Sequence, residues 1–282
     1  MRIVRTKEEL REALAGPRRE SHSIGLVPTM GSLHEGHLAL LREARAECEV
    51  VVMSLFVNPA QFGLEEDLDL YPRDESRDAE LAEHEGVDLV YAPAGGEVYP
   101  AGFATRVEVE GLTEVLCGDG SRRGPEHFRG VTTVVAKLFN SVHPDVAYFG
   151  QKDAQQAIVI KRMARDLDFP VRIAVVPTVR DADGLAMSSR NAYLKPGERE
   201  RAAALSRALE AARGSAGEGT LAEALETARG ELRDAGIEAE YLEARDAQDL
   251  SPVAELNGRP VLVAVAARVG GARLIDNIVI EP

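Results

Sequence analysis

The sequence predicts an α/β protein, with a Rossmann-like doubly wound parallel sheet followed by a smaller C-terminal α+β domain. Three observations predict it. Short β-branched and apolar runs, such as Val50-Val51-Val52-Met53-Ser54-Leu55, recur between helical segments, as strands buried on both faces require. Turn residues close most of these runs and a helical pattern follows, which marks strand–loop–helix units. After Arg180 that alternation stops, and Ala/Glu/Arg-rich helices give way to three strands, the last two joined at Gly270-Gly271. The expected domains are residues 1–177 and residues 178–282.

An edge strand is expected at Ile3 and Val4, then a helix over 6–14 capped by Thr6. Residues 24–27 read as a buried strand, stopped by Pro28 and turned by Gly31. Ser32 and Glu35 stand in the Ser-x-x-Glu order of a capping box, so Ser32 is expected as the N-cap of the next helix. Leu38, Leu41 and Ala44 continue that helix with one apolar face. The run over 50–57 is a strand that ends in a loop over 58–63. An acidic turn over 67–72 leads to a helix over 73–85, a strand over 87–91 and a Pro/Gly-rich loop through Pro100. Residues 105–109 alternate as a strand does, 118–130 read as a loop and 131–142 as a helix. The strand over 146–149 breaks at Gly150, and a helix over 154–167 and a strand over 171–176 follow. Helices over 196–213 and 220–235, separated by Gly214-Ser215-Ala216-Gly217, and strands near 238–244, 260–269 and 272–280 complete the chain.

Composition narrows the function. The 282 residues carry a formal net charge of -14, which opposes binding of a polyanion such as tRNA or DNA. No apolar run reaches the ~18 residues of a membrane-spanning helix, and the N-terminus lacks the apolar core of a signal peptide. Cys48 and Cys117 offer no disulfide framework, so a cytoplasmic location is expected. Basic residues are nearly all Arg; the lysines are Lys7, Lys137, Lys152, Lys161 and Lys195.

Four loops carry chemistry. With a helix starting at Ser32, His34 and His37 fall on one face of its first turns. Unpaired N–H groups and the positive helix end favour bound phosphate there. The same field is expected to lower the imidazole pKa, so both rings act as neutral donors. Gly36 leaves room for a ligand to approach closely. In the second loop Gln61 offers an uncharged donor and acceptor, for a hydroxyl or carboxylate or simply for water. In the third, Lys152 at a strand–helix junction can neutralise phosphate charge in a transition state. Asp153 beside it takes a ribose hydroxyl or caps the helix, and Gln156 faces the same loop one turn on. In the fourth, Met187-Ser188-Ser189-Arg190 sets two hydroxyls and a guanidinium in one loop, a clamp for triphosphate oxygens or an ordinary polar hairpin.

Together these residues carry a resemblance. His34-Glu35-Gly36-His37 after a strand is similar to the HxGH signature of the nucleotidyltransferase superfamily and of class I aminoacyl-tRNA synthetases. The Met187-Ser188-Ser189-Arg190 loop resembles the Lys-Met-Ser-Lys-Ser loop of those synthetases. The longer string Pro-Thr-Met-Gly-Ser-Leu-His-Glu-Gly-His is narrower. It resembles the pantoate–β-alanine ligase (pantothenate synthetase) family, as do Phe-Val-Asn-Pro-x-Gln-Phe, Phe-Gly-Gln-Lys-Asp-x-Gln-Gln, Asp-Gly-Leu-Ala-Met-Ser-Ser-Arg-Asn and the closing Leu274-Ile275-Asp276-Asn277-Ile278. The resemblance spans nearly the whole chain.

It implies ATP-dependent condensation of (R)-pantoate with β-alanine through a pantoyl-adenylate, releasing AMP and pyrophosphate. By that resemblance His34, His37, Lys152, Ser188, Ser189 and Arg190 contact ATP phosphates and form the candidate catalytic set. Met30, Gly31, Ser32, Leu33, Glu35, Gly36, Gly150, Gln151, Asp153, Val179 and Met187 complete the ATP site. Gln61 and Gln156 hold pantoate, with β-alanine arriving beside Gln61. Mg²⁺ accompanies ATP, no residue is assigned as a metal ligand, the 178–282 domain acts as a lid, and a homodimer is implied. The family usually reads Arg-Pro-x-His-Phe where this chain has Arg123-Gly124-Pro125-Glu126-His127-Phe128, one residue longer, so neither Arg122 nor Arg123 is assigned a role. Two rivals remain at this level. A nucleotidyltransferase would keep the nucleotide in its product, and a nucleotide sensor would bind ATP without turnover.

Overall fold

The computed structural model describes residues 1–63, 68, 71–217, 219–256 and 258–281. The acidic turn expected over 67–72 lies largely outside the described residues. In chain order the first elements are β1 (Arg2–Val4), α1 (Lys7–Arg19), β2 (Ile24–Thr29), α2 (Glu35–Glu47), β3 (Val50–Leu55), α3 (Glu75–His84), β4 (Leu89–Tyr91) and α4 (Gly95–Val98). They continue with α5 (Pro125–Val142), β5 (Val146–Gly150), α6 (Ala154–Asp166) and β6 (Arg172–Val176). The remainder comprises α7 (Pro196–Ala202), α8 (Ala204–Ala216), α9 (Leu221–Asp234), β7 (Ala239–Asp246), β8 (Val261–Val269) and β9 (Ala272–Ile280).

β1 to β6 form a parallel sheet in the order β1-β4-β3-β2-β5-β6. The chain winds outward from β2 to one edge, then returns to place β5 and β6 on its other side. The reversal falls between β2 and β5, and in open α/β sheets ligands bind outside the strand carboxyl ends at such a point. Met30 follows β2 and Gly150 ends β5. The fold class is the one the sequence predicts. Its core packs β-branched strand residues, among them Val27, Val51 and Val90, against Leu38, Leu41 and Ala44 of α2. The second sheet is antiparallel, in the order β7-β8-β9, with α8 and α9 on its apolar face through Leu205, Leu209, Ala224 and Ala228.

Contacts divide the chain into two units. The first holds Met1–Glu114, Gly118–Gly150 and Val159–Val176, and the second Val115–Cys117, Gln151–Ile158 and Pro177–Pro282. No helix among the described residues is long and apolar enough to cross a membrane.

Several local expectations are corrected. Residues 105–109 form no strand. The backbone of Val107 is bonded instead by side chains of α5, its N–H donating to Thr133 Oγ1 at 3.0 Å and its carbonyl accepting from Thr132 Oγ1 at 2.6 Å. Alternation alone makes no strand where hydroxyls already fill the backbone's hydrogen bonds. Gly214, Ser215 and Ala216, expected between helices, lie within α8, and α5 starts at Pro125 rather than at 131. Pro125 sits in the first turn of α5, where the missing N–H costs nothing. The cap of α2 also differs from the expectation, as the site shows.

Candidate active site

In the first unit the site begins where β2 ends. Gly31 takes φ 84°, and a Cβ there would lie 2.8 Å from Asp78 Oδ2 and 2.9 Å from Leu55 Cδ1, so only glycine fits. Ser32 is also left-handed, at φ 53°, and it does not cap α2. Its amide donates to Asp78 Oδ2 at 2.8 Å, and the Leu33 amide donates to Asp78 Oδ1 at 2.7 Å. Asp78 lies on α3 and is only 1% exposed. One buried carboxylate thus fills two N–H groups at the turn where a local capping box was expected.

The N-cap is His34, in extended backbone. The Gly36 amide donates to His34 Nδ1 at 3.2 Å, and the His34 amide donates to His37 Nδ1 at 3.3 Å. The rings lie 4.1 Å apart, centroid to centroid. A backbone N–H can only donate, so Nδ1 of each ring is an acceptor, and in the neutral imidazole the proton sits on Nε2. Each neutral ring therefore carries its proton on Nε2. Glu35 pairs with Arg42 and is held on the helix exterior.

The second loop folds as a 3-10 turn, Pro59–Gln61, capped by Asn58. Asn58 is 1% exposed, and its side chain makes four hydrogen bonds. It donates to Gln61 Oε1 at 3.0 Å and to the Gly130 carbonyl at 3.1 Å, and it accepts from the Ala60 amide at 3.2 Å and from Tyr99 Oη at 2.7 Å. Burial pushes the Tyr99 phenol up to about 12, so it stays a donor throughout the neutral range. Gln61 Nε2 reaches Met30 Sδ at 3.2 Å, which brings two of the expected site residues together. Gly130 lets α5 approach this turn, since a Cβ there would meet the Ala60 carbonyl oxygen at 2.2 Å. Of the two unassigned arginines, Arg123 meets His127 Nε2 at 3.3 Å, and His127 Nδ1 lies 2.7 Å from the Gln61 carbonyl oxygen. That carbonyl can only accept, so His127 carries its proton on Nδ1 and takes a hydrogen bond from Arg123 on Nε2.

In the second unit, residues Gln151–Asp153 form a 3-10 turn that runs directly into α6. Asp153 Oδ1 lies 3.9 Å from Lys152 Nζ. Gln151 Nε2 donates to Asn277 Oδ1 at 2.8 Å. Gln155 is buried and bonds the backbone of Val115 and Cys117, while Gln156, one residue on, is half-buried. The loop from Val179 to Arg190 closes on itself. Met187 N donates to the Val179 carbonyl at 3.0 Å, and Arg180 and Ala186 form an antiparallel bridge. Ser188 caps a 3-10 turn, Ser189–Tyr193, accepting from the Arg190 amide at 3.3 Å. The Arg190 guanidinium makes no ion pair among the described residues, which leaves its charge available to an anion. Arg180, in contrast, forks onto Asp276 at 2.6 and 3.0 Å.

Sequence reasoning gave no role to Asp78, Tyr99, His127 and Asn277, which act through partners far along the chain. Asn58, His127 and Asn277 stood inside strings already quoted, and for Asn58 its place before Pro59 was the available signal.

Residues 2–279 match the family described as Pantoate-beta-alanine ligase. The pantothenate synthetase of Moorella thermoacetica is 56% identical over 289 residues, an alignment covering 100% of this chain and 99% of that protein. The crystal structure of pantothenate synthetase from Thermus thermophilus superposes with a TM-score of 0.93 at 51% identity, covering 100% of both chains. A pantoate-beta-alanine ligase from Francisella tularensis, solved with beta-gamma ATP and beta-alanine, superposes with a TM-score of 0.80 at 32% identity, covering 99% of this chain and 97% of that one.

Proposed function

The chain belongs to the pantoate–β-alanine ligase family, and from that premise we propose how its residues carry out the ATP-dependent joining of pantoate to β-alanine. The pantoate carboxylate attacks the α-phosphorus of ATP. A carboxyl–phosphorus bond forms, the bond to the β-phosphate breaks, and pyrophosphate leaves. The uncharged β-alanine amine then attacks the acyl carbon of the pantoyl-adenylate, the bond to AMP breaks, the amine gives up one proton to water, and pantothenate and AMP are released.

The observation that carries this reading is the pair of Nδ1 atoms engaged by backbone amides, which makes His34 and His37 fixed Nε2–H donors at a helix start. Those donors take phosphate oxygens. Lys152 and Arg190 neutralise charge as it moves onto the leaving pyrophosphate, and the Ser188 and Ser189 hydroxyls donate hydrogen bonds to it. Met30, Gly31, Ser32, Leu33, Glu35, Gly36, Gly150, Gln151, Asp153, Val179 and Met187 complete the nucleotide site. Gln61 and Gln156 hold pantoate with neutral amides that leave its carboxylate nucleophilic, and β-alanine enters beside Gln61. No acyl-enzyme is needed, so the work is positioning and charge stabilisation.

Mg²⁺ enters with ATP as part of the substrate. The triphosphate offers it hard oxygen ligands, and no residue of this chain is assigned to it. The proposal extends to a homodimer in the cytoplasm, on the resemblance and on two cysteines that stand free and buried.

Product identification tests the reading. Incubation with MgATP, pantoate and β-alanine is expected to yield pantothenate, AMP and pyrophosphate in equal amounts. ADP and phosphate would mean that pantoate is phosphorylated instead, and a nucleotide retained in the product would mark a nucleotidyltransferase.

A further inference from the structure

Asn277 lies on β9, is 4% exposed, and commits its amide oxygen and both amide hydrogens to one short stretch of chain. Its Oδ1 accepts from Gln151 Nε2 at 2.8 Å. Its Nδ2 spends one hydrogen on the Gln151 carbonyl at 3.0 Å and the other on the Lys152 carbonyl at 2.9 Å. These contacts pin the backbone on both sides of the Lys152 Cα from within a strand that is paired along its whole length with β8.

We propose that Asn277 is a positioning residue for the first chemical step, acting on ATP only through Lys152. The inference rests on the phosphate role assigned to Lys152 above. A lysine side chain is long and flexible, and where its ammonium sits depends on where its backbone starts. The 3-10 turn that carries Lys152 is short, and turns of this kind have poor hydrogen-bond geometry of their own. Asn277 replaces that weakness with two charge-neutral donors from a rigid strand. The next residue toward the N-terminus, Asp276, points its carboxylate the other way to the Arg180 guanidinium, so neighbouring side chains reach opposite sides of β9.

The chemistry of the amide is specific. In Asn277→Asp an oxygen replaces Nδ2 with little change in volume, and it faces two carbonyl oxygens at 2.9–3.0 Å. Two attractions become two repulsions, and the turn must move.

The test is pyrophosphate exchange into ATP with pantoate alone, measured on the full chain for wild type, Asn277→Asp, Lys152→Ala and the double variant, beside thermal unfolding. Asn277→Asp is expected to slow exchange about 10- to 100-fold, with the KM for ATP changed less than about threefold. In the Lys152→Ala background the same substitution is expected to add less than about twofold, because the group it positions is gone. A merely structural role would lower exchange by the same factor in both backgrounds, and that result would overturn the inference. So would an Asn277→Asp protein with wild-type exchange. If Asn277→Asp does not fold, Asn277→Ser, which keeps one donor and carries no charge, is judged by the same two comparisons. Wild-type exchange in Lys152→Ala alone would instead remove the role given to Lys152, a distinct failure that takes this inference with it.

Discussion

His37→Ala is expected to lower turnover roughly 10²- to 10³-fold, the loss typical of one transition-state donor. The substitution removes the Nε2–H assigned to phosphate, and it also removes the Nδ1 acceptor of the His34 amide. Two further variants separate these effects. In Asn the side-chain oxygen stands near the position of Nδ1 and can accept from the His34 amide, but nothing replaces Nε2. In Gln the amide nitrogen stands near Nε2, and the Nδ1 acceptor is lost. If the donor carries the effect, His37→Asn is as slow as alanine and His37→Gln recovers part of the rate. Near-normal turnover in His37→Ala, measured by AMP release at saturating substrates, would show that the histidine is a helix cap and nothing more.

Lys152→Ala is expected to slow adenylate formation by a similar factor, roughly 10²- to 10³-fold, while nucleotide affinity changes much less. Its charge matters most when negative charge moves onto the leaving pyrophosphate. Lys152→Arg should also be slow. The turn is fixed by Asn277 at the Lys152 carbonyl, so a longer, planar guanidinium starts from the same point and must end elsewhere. The rarity of lysine in this arginine-rich chain points the same way. Single-turnover rates with ATP and pantoate, set against equilibrium nucleotide binding, check both statements. An Arg variant with full activity would remove the argument from shape and leave only charge.

The sheet was legible because its signals are local. Buried parallel strands are apolar on both faces, so runs such as 50–57 and 146–149 stand out without any knowledge of their partners. Capping by Thr6 was equally local, its hydroxyl meeting an amide three residues on. Local rules failed where a distant group competed. Ser32 and Glu35 satisfy the capping-box pattern, yet Asp78, which is 46 residues from Ser32 in sequence, takes the Ser32 amide and passes the cap to His34. The 105–109 segment failed as a strand for a similar reason, since Thr132 and Thr133 approach it only once α5 is placed.

The candidate site shows the same division. Residues that would touch ligand sit in short motifs at strand ends, and these could be read in order along the chain. The residues that hold them do not. Asn58 fixes the Gln61 amide, Asp78 fixes the turn before His34, and Asn277 fixes the turn at Lys152. Asn277 lies 125 residues from Lys152, and nothing in its own neighbourhood announces the contact.

The central claim is that the carboxylate is activated before the amine enters, by a phosphate site with no protein nucleophile. Exchange of labelled pyrophosphate into ATP tests it most directly. With MgATP and pantoate alone, label is predicted to enter ATP through reversible adenylate formation, and added β-alanine is predicted to discharge the intermediate with AMP appearing in step with pantothenate. Exchange that begins only when β-alanine is present would contradict the account.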